Sequence, residues 1–363
     1  MPGPDPFALS VGAFLNASLM VAAFVVVLFL GSLLLPGRRI TGPDAEGGER
    51  VYRLNGLGLF LLTVVVAGLG HSLGWVSLAA LYEHFGALFV AANLFAFAFS
   101  GWLYWQGRRA SGPVSGSAWR GYFCGVNAGP VWFGIDLKLF SYRPSLIGLA
   151  LLNASFAVVQ WDLYGRLTLA MMLYQGFSFI YVLNYFQFEQ GMVHTWDIIS
   201  ERFGWMLVWG DYVLVPFFYC LPCWWLVHAP DPVSPLAGAG LVLLFLFGFW
   251  LFRGANQQKH RFKRDPEALI WGRPAESLEG RLLISGFWGI GRHLNYTGEI
   301  CLYLSFALCT GFVSWVPFLL PAWLAGLLWH RSRRDERRCR EKYGALWERY
   351  SQKARFSMLP FIH

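Results

Sequence analysis

The chain has 363 residues, 56% of them hydrophobic and only 14% charged, with a net charge of +8. Soluble domains carry about 25% charged residues, so the composition excludes an ordinary water-soluble enzyme and points to the membrane. Six cysteines with no paired framework and eight histidines with no ligand spacing speak against a disulfide scaffold and a metal centre.

In chain order, the runs 21–35, 57–70, 87–99, 146–159 and 241–252 are apolar on every side. With their flanks, several approach the ~20 residues that cross a hydrocarbon core. The first run has no Lys or Arg before it and is followed by Arg38 and Arg39, which predicts a retained helix rather than a cleaved leader. Cys220 and Cys223 form a CxxC inside an apolar span, where packing is the expected role. Lys and Arg concentrate in 38–53, 108–143, 253–281 and 331–355, with 82–84 and 230–235 expected on the opposite face. Counting crossings from an outside N-terminus places all four clusters on one face and gives about nine spans. The weak stretches 282–291 and 313–329 could add or remove one span. The expectation is therefore an all-α, polytopic transmembrane bundle with a cytoplasmic C-terminal helix. It would sit in the endoplasmic reticulum of a eukaryote or the inner membrane of a bacterium. Segment 1–252 would supply the first membrane helices and 253–363 a C-terminal half with the last spans and the tail, together forming one structural unit.

Ionisable residues inside apolar segments are expensive unless paired or facing a wet cavity. Glu189, Asp197, Asp211, Glu299, His293, Asn184 and Asn295 occupy such positions and suggest an internal polar site. Standard nucleotide and zinc-protease devices are absent: there is no GxGxxG after a strand, no GxxxxGK[ST] and no HExxH. Three clusters remain. FRGANQQKHRFKR at 252–264 places Arg253, Asn256, Gln258, Lys259 and Lys263 near one side of a helix leaving the membrane, with lysines suited to a phosphate-rich ligand. LLISGFWGIGRHLNYTGE at 282–299 crowds Arg292, His293, Asn295, Tyr296 and Glu299 into eight positions. HRSRRDERRCREKYGALWERY at 330–350 sets a basic stripe (Arg331, Arg334, Arg338, Lys342) beside Asp335, Cys339 and Tyr343, continued by Trp347 and Tyr350.

With YRLNG at 52–56, DLKLFSYRP at 136–144 and FGWMLVWGD at 203–211, these motifs resemble the sterol reductase family. That family includes the 14-sterol reductases, 7-dehydrocholesterol reductase and the reductase domain of the lamin B receptor. The resemblance runs from about residue 51 to the end. It implies about ten membrane helices, a sterol drawn from the bilayer, membrane lipids but no nucleic acid as partners, and NADPH as cofactor. The implied cofactor residues are Lys259, Lys263, Leu283, Trp288, Asn295, Tyr296, Asp335, Cys339, Arg340, Glu341, Lys342, Tyr343 and Tyr350. Lys263 departs from the family, which usually has Arg there, so a bidentate contact to the 2′-phosphate becomes a point-charge contact.

An isolated alkene accepts hydride poorly, so the implied order is protonation of one alkene carbon and then hydride delivery to the cation. Tyr181 is the candidate proton donor, with Glu189 and Asp211 lining the pocket. IYVLNYFQFE at 180–189, FGWMLVWGD and LIWGRP at 269–274 look nearer the 7-dehydrocholesterol reductases, which favours the 7,8-double bond. The 14,15-double bond is the alternative. More remote is an S-adenosylmethionine-dependent membrane methyltransferase, which shares the RHxxYxGE element.

Overall fold

A computed structural model describes residues 6–7, 9–45, 47–111, 117–229, 231, 233–312 and 314–358. Pro230 and Val313, two positions in the expected loops and weak spans, lie outside them. Among the described residues, six helices are long and apolar enough to cross a membrane: Val11–Leu34, Phe85–Ala110, Leu137–Tyr164, Leu169–Gln187, Trp205–Leu226 and Pro235–Arg264. Gly56–Ser72 is apolar but shorter.

The expected nine or ten spans are not reached, for local reasons. Stretch 282–291 folds as the strand Leu282–Leu283 and the one-turn helix Phe287–Ile290. Helix Leu294–Leu308 has 15 residues, about 22 Å at 1.5 Å per residue, short of a ~30 Å core. Helix Leu319–Tyr343 begins apolar and turns strongly basic from His330 onward. The all-α expectation is also amended, because four two-stranded antiparallel hairpins punctuate the helices. Three are short ladders closed by turns in which Phe133, Trp271 or Glu279 takes a positive φ ahead of a glycine. Strands of two residues leave no alternating pattern in the sequence.

The described chain divides into two compact units, residues 1–167 with 175–228 and residues 168–174 with 229–363. In the first unit, Val11–Leu34 starts on the Ser10 hydroxyl, which accepts the Ala13 amide at 3.0 Å, and its outward Leu19, Val26 and Val27 are exposed, as lipid-facing side chains are. Helix Leu137–Tyr164 is capped by Asp136, whose carboxylate accepts the Leu139 amide at 2.9 Å. The same carboxylate takes the Arg50 guanidinium at 2.6 Å, tying the hairpin Arg38–Pro43/Glu49–Leu54 to the helix start. Trp205–Trp209 runs into a nine-residue π-helix, Gly210–Phe218, with Pro216 inside it. Rings slipped to i→i+5 bonding of this kind occur often at functional sites.

In the second unit, Pro235–Arg264 starts on Ser234 with proline in its first turn. Its 30 residues span about 45 Å, so one continuous helix is long enough to cross a hydrocarbon layer and still carry the polar 252–264 motif beyond it. It packs on Leu294–Leu308 with backbones in near contact. A Cβ on Gly298 would meet the Gly248 carbonyl at 2.6 Å, the small-residue approach favoured between membrane helices. Leu319–Tyr343 ends at Gly344, whose φ of +53° lets the chain reverse into Ala345–Lys353. The expected continuous stripe from Cys339 through Tyr350 is therefore broken into two helices, and Cys339 and Tyr343 pack against Trp347 and Tyr350 across that turn.

Candidate functional site

In the second unit the three sequence motifs converge. The Lys259 ammonium lies 4.4 Å from the centre of the Trp288 ring, a cation–π distance. Trp288 is held in place: its indole N–H donates to the Ala255 carbonyl at 2.8 Å and its own carbonyl accepts the Tyr350 hydroxyl at 3.1 Å. The Phe287 amide donates to Gln258 Oε1 at 2.9 Å, pinning the 282–299 loop to the long helix. Burial pushes the Cys339 thiol up to about 11, with Asp335 adding to the rise and Lys259, Lys342 and Arg338 opposing it. That thiol stays protonated and is no nucleophile at neutral pH. The same electrostatic neighbourhood contains Lys263, which feels Lys259, Lys342, Asp335 and Cys339. Lys342 also lies 5.2 Å from the Tyr343 ring centre.

Asn295 and Tyr296 open the helix Leu294–Leu308. The Asn295 amide donates to Asn256 Oδ1 at 3.2 Å, and its own Oδ1 is buried with no hydrogen-bond partner among the described residues. Tyr296 stacks on His293 at 5.2 Å and 9°. Leu283 is a core residue, packed with Leu251, Phe262, Phe287 and Trp288. Arg340 and Glu341 are exposed, and among the described residues no side-chain contact brings either into the cluster. Three lysines beside two aromatic faces and an unpartnered amide oxygen form an array able to hold a polyanion that carries a ring and a carboxamide.

The first unit contains the three candidate catalytic residues in different settings. Tyr181 is buried, donates its hydroxyl to Tyr185 at 3.2 Å and meets that ring edge-on at 5.0 Å. Tyr185 lines a small cavity with Tyr142, Arg143, Phe186, Glu189 and Met192. Glu189 is saturated: Oε1 accepts both Arg143 Nε at 3.0 Å and Nη2 at 2.8 Å, and Oε2 accepts the Gly56 amide at 2.9 Å. Arg143 Nη2 also donates to the Arg53 carbonyl at 2.9 Å. The pair is buried, with side-chain exposures of 3% and 8%. Asp211 stands in the first turn of the π-helix, close enough to Asp197 to be affected by its charge. Its neighbour Tyr212 shares a 3.1 Å hydrogen bond with Ser141 Oγ. Asp197 in turn accepts the Tyr142 hydroxyl at 3.0 Å.

The sequence reading missed Tyr185, Arg143 and Glu336. Tyr185 was readable, since it stands four residues after Tyr181 and so shares its helix face. Arg143 and Glu189 are 46 positions apart, and no spacing rule pairs them.

A profile described as the Ergosterol biosynthesis ERG4/ERG24 family matches residues 10–363. The chain is 38% identical over 355 residues to a Delta(14)-sterol reductase of Methylotuvimicrobium alcaliphilum, covering 94% of this chain and 83% of that relative. It is 38% identical over 357 residues to a Delta(14)-sterol reductase of Arabidopsis thaliana, covering 96% of each, and 36% identical over 344 residues to one of Dictyostelium discoideum, covering 90% and 74%. The chain belongs to the ERG4/ERG24 sterol reductase family of ergosterol biosynthesis.

Proposed function

We propose that this protein is a membrane-embedded, NADPH-dependent reductase of the sterol 14,15-double bond. The names of its relatives favour that bond over the 7,8-double bond to which the short segments at 180–189, 203–211 and 269–274 pointed. Those segments differ from either pattern at few positions, and similarity over the whole chain outweighs them.

The observation that carries the cofactor reading is the Lys259–Trp288 pair beside Asp335, Cys339 and Lys342. The residues fit a phosphorylated dinucleotide: Lys259, Lys263 and Lys342 would hold phosphate, Trp288 and Tyr343 offer ring faces, and Asn295 Oδ1 is an acceptor awaiting a donor. NADPH, when bound, supplies the hydride and leaves as NADP⁺. Residues 253–363 would thus bind cofactor, and the helices before them would bind the sterol.

Tyr181 would give its phenolic proton to the less substituted alkene carbon, so that the positive charge develops at the tertiary ring carbon. The Tyr185 hydroxyl, turning to donate, would steady the phenolate left behind. Glu189 is committed to Arg143 and the Gly56 amide, so it would shape the cavity wall rather than exchange a proton. Asp211 would line the first unit's pocket beside Tyr212.

Incubating the detergent-solubilised protein with NADPH and either an 8,14-diene or a 5,7-diene sterol tests the reading through NADPH absorbance. Oxidation with the 8,14-diene alone is expected, and oxidation with the 5,7-diene alone would restore the 7,8-alkene.

A further inference from the structure

Segment 354–358 is bound to the turn at 291–296 by far more than packing. The backbone amides of Arg292 and His293 donate to the carbonyls of Phe356 and Ser357 at 3.0 and 2.8 Å, and Gly291 pairs with Phe356 as an isolated parallel bridge. The Thr297 hydroxyl donates to the Met358 carbonyl. The Arg292 side chain spans both partners. Nη1 donates to the Ala354 carbonyl at 2.7 Å and to the Arg355 carbonyl at 3.2 Å, while Nε donates to Glu336 Oε1 at 2.9 Å. That same carboxylate oxygen accepts the Ser357 hydroxyl at 2.9 Å. Ser357 and His293 are 1% and 3% exposed.

Three elements are thereby fixed to one another. They are the segment 354–358, the helix Leu319–Tyr343 that bears Asp335, Cys339 and Lys342, and the turn that starts Leu294–Leu308 with Asn295 and Tyr296. The rigid fork of a guanidinium donates from Nε and Nη1 in fixed, different directions, and Arg292 stands where all three meet. His293 extends the effect, since its amide is held by the tail and its ring lies flat on Tyr296.

We propose that Arg292, through Glu336 and Ser357, is a positioning residue that straps the C-terminal segment 354–358 across the turn and so sets Asn295 and Tyr296 for dinucleotide binding. This rests on the cofactor reading above. Neither Arg292 nor Glu336 needs to touch the dinucleotide, because the strap engages Arg292 through Nε and Nη1 and Glu336 through Oε1.

NADPH is titrated by calorimetry into the full-length protein in detergent, and steady-state kinetics are measured on the same samples. Arg292→Gln should raise the NADPH Kd and KM about tenfold or more while kcat at saturating NADPH stays within about twofold, the pattern of a lost binding geometry rather than lost chemistry. Arg292→Lys should recover only part of the affinity, since an ammonium cannot reach both the carboxylate and the tail carbonyls in the same way. Ser357→Ala, which removes one hydrogen bond and keeps the ion pair, should raise Kd about threefold. If Arg292→Gln does not give a monodisperse protein, Ser357→Ala decides, and a parental Kd there overturns the proposal. An Arg292→Gln protein that is folded and binds NADPH as the parent does, or that loses kcat with KM unchanged, also overturns it. A parent that fails to bind NADPH at all overturns this proposal and the cofactor reading together, whereas a parent that binds and a variant that binds equally well removes the strap alone.

Discussion

Lys259 holds its ammonium 4.4 Å from the centre of the Trp288 ring, and the two residues come from the long helix Pro235–Arg264 and from the one-turn helix Phe287–Ile290 that follows two hairpins later. Replacing Lys259 by Met keeps the aliphatic stem over the ring and deletes the charge. A cation–π pair and a phosphate contact together are worth about 2–4 kcal/mol. Lys259→Met is therefore expected to raise KM for NADPH by roughly thirtyfold or more, with the KM for sterol little changed, as read from initial rates.

Lys263 offers a point charge where a planar fork would give two parallel hydrogen bonds. Lys263→Arg should sharpen the preference for NADPH over NADH by about fivefold, measured as the ratio of kcat/KM values for the two cofactors. An unchanged ratio would remove Lys263 from the 2′-phosphate.

Tyr181 and Tyr185 make different predictions although their hydroxyls touch. Tyr181→Phe removes the proposed acid and should lower kcat by about 10²–10⁴, with the NADPH Kd unaltered. Tyr185→Phe removes only the supporting hydroxyl, and a loss of about tenfold is expected.

Much of this was legible in the sequence, and its limits have physical causes. The long apolar runs became helices because a 3.6-residue spiral satisfies every backbone group in a dry phase, a property composition alone reveals. The three basic and aromatic motifs were readable because each is local and dense: Lys259 and Cys339 stood out in theirs, whereas Trp288 came only from the family resemblance. The hairpins were invisible because two-residue strands such as Leu269–Ile270 have no period. The Arg143–Glu189 pair was invisible because tertiary folding, not spacing, joins residues 46 positions apart. The tail helix was misread as continuous through Tyr350 because the reversal depends on one glycine, Gly344, at φ +53°.

The Arg143–Glu189 pair makes a stability prediction separate from catalysis. Glu189→Ala strands a buried guanidinium, a change that typically costs about 3–5 kcal/mol. A fall of roughly 5 °C in the detergent melting temperature is expected, and Glu189→Gln, which keeps an acceptor, should lose less. A melting temperature matching the parent would show the pair to be dispensable.

Glu336 gives the tail strap a pH signature. Burial works to raise its carboxyl, but the His293 ring 3.7 Å away, the Arg292 guanidinium and the Ser357 hydroxyl outweigh it and hold the group down at about 2. Its folded pKa lies below the unfolded carboxylate value of about 4.3, so its contribution is full above about pH 4.3 and is lost as pH falls through 2. Glu336→Gln should melt several degrees below the parent at pH 6 to 8, and the gap should close on acidification toward pH 2. A gap that widens in acid would contradict the ion pair.

The most direct test of the whole account is product analysis by gas chromatography and mass spectrometry after incubation of purified protein with an 8,14-diene sterol and NADPH deuterated at the transferable position. The account predicts a 14,15-saturated sterol carrying one deuterium on the ring carbon that bore the cation. Recovery of the unaltered diene, or a reduced sterol without deuterium, would contradict it.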